Sequence, residues 1–179
     1  MPYSLLSKAI QFAAEKHDGQ FRDGDFGLPY ITHPVEVTTL LRYTGGISDE
    51  EMLCAAALHD ILEETSVEPS VLKDLFGQRT HDLVVELTRY EPNEDETKGM
   101  TKDEIWQLRA NLLVDEIAKM SSDAQTVKLS DRLANVREAK LTKNGEKLKR
   151  YVRQTKRILE IVPKTVNPAL WKAVAAEIA

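Results

Sequence analysis

With 179 residues, 42% of them hydrophobic and 30% charged, the chain suits one soluble domain with a sizeable core, and a disordered or fibrous class is excluded. Its 24 Lys and Arg against 29 Asp and Glu give a formal net charge of -5, a poor general match for nucleic acid or anionic membrane, so any small anion must be met by local positive charge. The single cysteine, Cys54, leaves no intrachain disulfide and no cysteine-based zinc site.

The N-terminus (Met1-Pro2-Tyr3-Ser4) has no basic region followed by an apolar stretch, and no apolar run is long enough for a bilayer, so a cytoplasmic protein is expected. Leu5, Leu6, Ala9, Ile10, Ala13 and Ala14 form an i, i+3/i+4 stripe that ends near Gly19. Asp18 to Pro29 reads as a loop. A second helix is expected from Pro34, whose fixed φ suits a first helical position, to the stop at Gly45-Gly46. Ser48 with Glu51 makes a capping-box pattern for a third helix that runs to about Ile61 or Leu62. Within it Met52 to Leu58 is an apolar run, and Cys54 reads as a buried thiol.

Short helices fit Ser70–Phe76 and Thr80–Arg89. Glu91 to Glu104, with six acidic residues, reads as a mobile polar loop. Trp106–Met120, Ala124–Leu141, Glu146–Val162 and Pro168–Ile178 complete an all-α chain of eight or nine helices. No two-residue alternation, internal repeat, P-loop or GxGxxG fingerprint is present.

Three words in the sequence carry candidate chemistry. His59-Asp60 ends an apolar helix, where an unpartnered buried carboxylate costs several kcal/mol and a divalent cation removes the conflict. Glu63 and Glu64 follow one turn later, over His59 and Asp60. Read alone, this is equally a helix end with a capping histidine. His33 precedes Pro34, which pushes it toward an extended conformation at a helix mouth, as a fixed ligand or as a cap. Asp131 and Asn135 share a face at i, i+4 and read as ligand plus substrate contact, or as a surface pair.

Together, His33, His59-Asp60 and Asp131 resemble the His…His-Asp…Asp metal signature of the HD superfamily. The surrounding words are His17-Asp18-Gly19-Gln20-Phe21-Arg22, Pro29-Tyr30-Ile31-Thr32-His33-Pro34, His59-Asp60-Ile61-Leu62-Glu63-Glu64-Thr65 and Lys128-Leu129-Ser130-Asp131-Arg132-Leu133-Ala134-Asn135-Val136-Arg137. In this order they resemble the hydrolase domain of the RelA/SpoT homologues, most of all the stand-alone small alarmone hydrolases. The likeness spans about residues 3 to 162.

The resemblance implies one HD-domain helical bundle over residues 1–179 and a manganese ion held by His33, His59, Asp60 and Asp131. It implies hydrolysis of the 3′-pyrophosphate of (p)ppGpp to GDP or GTP, without synthesis. Glu63 and Glu64 match the acidic pair that positions or activates the attacking water. Arg22 and Asn135 match nucleotide contacts, with Arg137 joining them. Lys147 and Tyr151, on the helix that follows, read as phosphate contacts or as a solvated helix face.

The expected partner is a small nucleotide, with no nucleic acid and no membrane; the oligomeric state is open. The chain departs from the family at Glu64, commonly Asp, at Asp23, where many members carry Lys, in the longer loop Gly24–Leu28, and at Ala134, which replaces a bulkier residue. Those changes touch the substrate side rather than the ligands. Removal of a nucleotide 2′-phosphate, as in NADPH, and a silent nucleotide-binding module are the alternatives.

Overall fold

A computed structural model describes residues 4–22 and 27–179, so the calls on Asp23, Gly24, Asp25 and Phe26 lie outside the described residues. Ten helices follow in order: α1 Leu5–Lys16, α2 Thr32–Tyr43, α3 Glu50–Leu58, α4 Ile61–Glu64, α5 Pro69–Phe76, α6 Gln78–Leu87, α7 Lys102–Lys119, α8 Ser122–Thr142, α9 Gly145–Ile161 and α10 Pro168–Glu177. Among the described residues the one β feature is an isolated bridge between Phe21 and Pro29. No helix among them is long and apolar enough to cross a membrane.

The centre of the bundle is α3, buried at every position from Met52 to Leu58 and enclosed by α1, α2, α6 and α8. A helix that is apolar all round has no other stable place than a core. Cys54 lies there as expected, and burial pushes its thiol up to about 12. The second buried helix, α8, differs: beside Val127, Leu129 and Leu133 it also buries Lys128, Ser130, Asp131 and Arg132. Charged groups are almost never buried without a partner, and this one helix carries three of them into the interior.

Four expectations change. The helix predicted to continue to Ile61 or Leu62 breaks at His59-Asp60, and a separate four-residue turn, α4, restarts it. Asp60, at φ -113 and ψ 2, lets its carbonyl accept from both the Glu63 and Glu64 N–H groups at 3.0 Å. This break raises the helix count to ten. Second, α3 is capped by Asp49, whose Oδ1 accepts from the Met52 N–H at 2.9 Å, rather than by Ser48.

Third, α2 begins at Thr32, so His33 is helical rather than extended. Pro34 then sits in the first turn, where its missing N–H would have no helical partner in any case. Fourth, Thr101 and Glu104 form a capping box that starts α7 four residues before Trp106, so Glu104 is helical. The segment before it is a hydrogen-bonded turn in which Asn93 and Glu96 bond each other's backbone.

Candidate metal centre and active site

Three elements deliver the predicted ligands to one point. The first turn of α2 supplies His33, the end of α3 supplies His59 with Asp60 just past it, and the middle of α8 supplies Asp131. Because α2 and α3 both pack on α8 and on each other, the three meet at the wall of the core. All four side chains are buried.

His33 Nε2 lies 3.4 Å and His59 Nε2 3.7 Å from Asp131 Oδ1, and His59 Nε2 lies 3.7 Å from Asp60 Oδ2. One donor atom from each of His33, His59 and Asp60 falls within 4.8 Å of the others. His59 Nδ1 is 2.9 Å from the Ala56 carbonyl. A carbonyl only accepts, so Nδ1 carries a proton and Nε2 is the nitrogen turned toward the carboxylates, the one left to bind a metal.

The carboxylates are oriented from behind. The Tyr30 hydroxyl donates to Asp60 Oδ2 at 2.7 Å, and His17 Nε2 approaches Asp60 Oδ1 at 3.4 Å. Lys128 Nζ lies 3.3 Å from Asp131 Oδ2, and Asn135 Nδ2 donates to Asp131 Oδ1. Burial alone would raise the pKa of Asp131, but Lys128 and the two imidazoles hold it well below the usual carboxylate range. Asp60 is likewise lowered: His59, the His17 and Tyr30 contacts and His33 outweigh its burial. Burial opposes charging of His59, yet the Asp60 and Asp131 carboxylates raise it to about 9.

The donor set fits a divalent cation. Asp60 Oδ1 is buried and meets only His17 Nε2, at 3.4 Å and without hydrogen-bond geometry, and a buried carboxylate oxygen so poorly satisfied is costly unless an ion joins it. Two imidazoles and two carboxylates suit a first-row transition metal.

The centre floors a cavity of about 240 Å³ that is also lined by Tyr30, Glu63, Glu64, Arg89, Lys128, Arg132, Asn135, Tyr151 and Gln154. A larger recess of about 680 Å³ adjoins it, sharing Tyr30, His33, Glu64, Arg89 and Asn135 and adding Gln20, Phe21, Arg22 and Glu138. Both oxygens of Glu63 are engaged by Arg89: Oε1 accepts from its backbone N–H at 2.9 Å and Oε2 from Nε at 3.0 Å. The Glu64 carboxylate faces the same cavity and has no hydrogen bond or ion pair among the described residues, while its carbonyl accepts from Gln20 Nε2 at 2.8 Å.

The predicted substrate contacts separate into two groups. Arg22 and Asn135 line the recess, and Tyr151 lines the metal cavity beneath the Arg132 guanidinium, 4.9 Å from its ring centroid. Arg22 is already bound at both ends, Nε to Glu138 at 2.9 Å and Nη1 to Glu36 at 3.0 Å. Arg137 points elsewhere, its Nε 2.9 Å from Glu177 on α10. Lys147 is exposed and lines neither the cavity nor the recess.

Sequence reasoning missed Tyr30, Lys128, Arg132, Gln154 and Arg89. For Lys128 and Arg132 a signal existed, since a helix face that buries Leu129 and Leu133 also carries them. Arg89, just beyond α6, offered none.

Comparison with known proteins gives the same picture. The HD-domain family profile matches residues 9–160. The guanosine-3′,5′-bis(diphosphate) 3′-pyrophosphohydrolase MESH1 of Xenopus tropicalis is 36% identical over 137 residues, 76% of this chain and 70% of that protein. Its counterpart from Homo sapiens is 37% identical over 133 residues, 74% of this chain and 68% of the relative. A solved structure described as a metazoan ortholog of SpoT that hydrolyses ppGpp superposes with a TM-score of 0.84 at 29% identity, over 99% of this chain and 95% of that one. The chain belongs to the HD-domain family and, within it, to the group of MESH1-type 3′-pyrophosphohydrolases.

Proposed function

We propose that this protein hydrolyses the 3′-diphosphate of guanosine alarmones, converting (p)ppGpp and water to GDP or GTP and pyrophosphate, with manganese held by His33, His59, Asp60 and Asp131. The observation that carries this reading is the buried ligand set at the floor of a cavity whose wall supplies both carboxylates and cations. Four carboxylates (Asp60, Glu63, Glu64, Asp131) face three cations (Arg89, Lys128, Arg132) there. With both imidazoles neutral, as metal ligands are, these side chains sum to one negative charge, and a divalent ion makes the lining net positive by one. On a chain that is acidic as a whole, the bound ion makes the cavity an anion site.

Bound at that position, a divalent cation supplies Lewis acidity to a phosphoryl oxygen and acidifies water. The chain's own residues do the rest. Arg22 and Asn135 hold the nucleotide along the recess, Tyr151 meets it in the metal cavity, and Lys128 and Arg132 meet phosphate charge at the cavity wall; Arg137 and Lys147 have no part. Water attacks the phosphorus that bears the 3′-oxygen, a new P–O bond forms and the P–O3′ bond breaks. Glu63, fixed by Arg89, orients the water, and Glu64, whose carboxylate is free, takes its proton. The departing 3′-oxygen takes up a proton to leave as a hydroxyl. The setting is cytoplasmic, with neither nucleic acid nor membrane as partner.

Incubation of purified protein with ppGpp, pppGpp, NADPH and dNTPs, with and without Mn²⁺, tests the proposal. Expected is release of pyrophosphate from the alarmones alone, and only with metal. Preferential release of orthophosphate from NADPH would replace the alarmone by a 2′-phosphorylated dinucleotide. No turnover in any arm would leave a nucleotide-binding module.

A further inference from the structure

Three guanidinium groups border the metal cavity and its recess, and they differ in what they have left to give. Arg22 spends Nε and Nη1 on Glu138 and Glu36. Arg132 is buried, lies over Tyr151 and donates Nη1 to Gln154 Oε1 at 3.2 Å. Arg89 is exposed, with 42% of its side chain open to solvent. It uses its backbone N–H and Nε on Glu63, its Nη2 lies 3.4 Å from Glu91, and its Nη1 has no partner among the described residues.

Its placement is equally distinct. Arg89 borders the metal cavity, the adjoining recess and a third hollow formed with Glu63, Glu64, Glu91 and Arg109. The extended backbone of Thr88, at φ -68 and ψ 125 after the end of α6, turns Arg89 back over α4.

We propose that Arg89 is a catalytic residue of this chain: one guanidinium grips Glu63 and donates from Nη1 to an oxygen of the substrate's 3′-diphosphate. The proposal rests on the alarmone reading above for the identity of that phosphate. Its physical basis is the planarity of the group. With Nε and the backbone N–H both fixed on the two Glu63 oxygens, the direction of Nη1 relative to that carboxylate is fixed as well. The residue that orients water and the donor that meets the phosphate are thereby held in one rigid relation, which lowers the reorganisation needed at the moment of attack. A lysine carries the same charge but has no second nitrogen to span the two roles.

The test uses the manganese-loaded protein, with Arg89→Ala, Arg89→Lys and Glu63→Gln. Inorganic pyrophosphate binding is measured by calorimetry, beside kinetics on ppGpp, metal content and melting temperature. Expected for Arg89→Ala is a pyrophosphate Kd weakened by roughly 10- to 100-fold, the scale of a charge-assisted hydrogen bond, a fall in kcat/KM at least as large, and unchanged metal content. Arg89→Lys should recover most of the pyrophosphate affinity and little of kcat, whereas Glu63→Gln should leave pyrophosphate affinity intact.

Pyrophosphate affinity within about threefold of wild type in Arg89→Ala, with only melting temperature lowered, would overturn the proposal, because exposed ion pairs act on stability alone and weakly. Wild-type protein that binds no pyrophosphate would overturn it too. Pyrophosphate binding that depends on Arg89, in a wild type that does not hydrolyse ppGpp, would remove the alarmone reading and keep the phosphate contact of Arg89.

Discussion

Two charge clusters sit at opposite ends of α3, and they are built for different purposes. At its N-terminus Arg79 binds Asp49 at 2.8 Å, Glu51 at 3.1 Å and Asp123 at 2.9 Å, tying the starts of α3, α6 and α8 together. Those groups are about two-fifths exposed or more, so water serves whatever the chain does not. The carboxylates also lie at helix N-termini, where the helix dipole favours them. At the other end His33, His59, Asp60 and Asp131 are buried at the floor of the cavity, His33 Nδ1 has no hydrogen-bond partner, and Asp60 Oδ1 meets only His17 Nε2, at 3.4 Å. An exposed network can be left incomplete at little cost; a buried one cannot. The incomplete buried cluster is the one that calls for a ligand from outside the chain.

The largest way to break that contrast is to remove the ion or one of its ligands. Chelation, or Asp131→Ala, should abolish turnover, and elemental analysis of the variant should show the metal gone. A metal-free protein with wild-type hydrolysis would place the chemistry elsewhere. Next in size is the base. Glu64→Gln should retain full metal content and near-normal nucleotide affinity while kcat falls roughly 10²–10⁴-fold. Glu63→Gln keeps one of the two acceptors for Arg89 and should cost less, on the order of tenfold; the reverse order in kinetic assays would exchange the two roles.

Arg22→Ala should raise KM by roughly tenfold with a small change in melting temperature, since its partners Glu36 and Glu138 remain partly open to water. A large thermal loss with unchanged kinetics would make Arg22 a structural clasp instead.

The smallest effect belongs to the outer cluster. Arg79→Ala should leave activity untouched and cost about 1 kcal/mol or less, because exposed pairs are screened. Its pH dependence has a definite sign. The bond to Arg79, with the Met52 N–H, lowers the pKa of Asp49, so that contribution is present above the carboxylate's unfolded pKa and fades as pH falls through the folded one. Acid melting curves of wild type and variant should converge.

How much of this was legible in the sequence depends on whether the signal was local. The apolar stripes of α1 and α3, the Gly45-Gly46 stop and the ligand words all lie within a helical turn or two, and they located the helices and the four residues that meet in the buried cluster. The break at His59-Asp60 was hidden because Ile61 and Leu62 continue the apolar run, and only the packed structure shows the chain turning there. Arg137 was recoverable: six residues past Asp131 on one helix it lies about 240° around the axis, facing away. Arg89 was not, since its meeting with Glu63 joins residues 26 apart across α5 and α6, and no local signal links the two.

The most direct measurement of the central claim is hydrolysis of ppGpp in ¹⁸O-labelled water by the manganese-loaded protein, with mass analysis of both products. Attack on the phosphorus that bears the 3′-oxygen predicts one ¹⁸O in the released pyrophosphate, none in GDP, and no reaction after chelation. Label in the 3′-hydroxyl of GDP, or orthophosphate as the released product, would contradict the account.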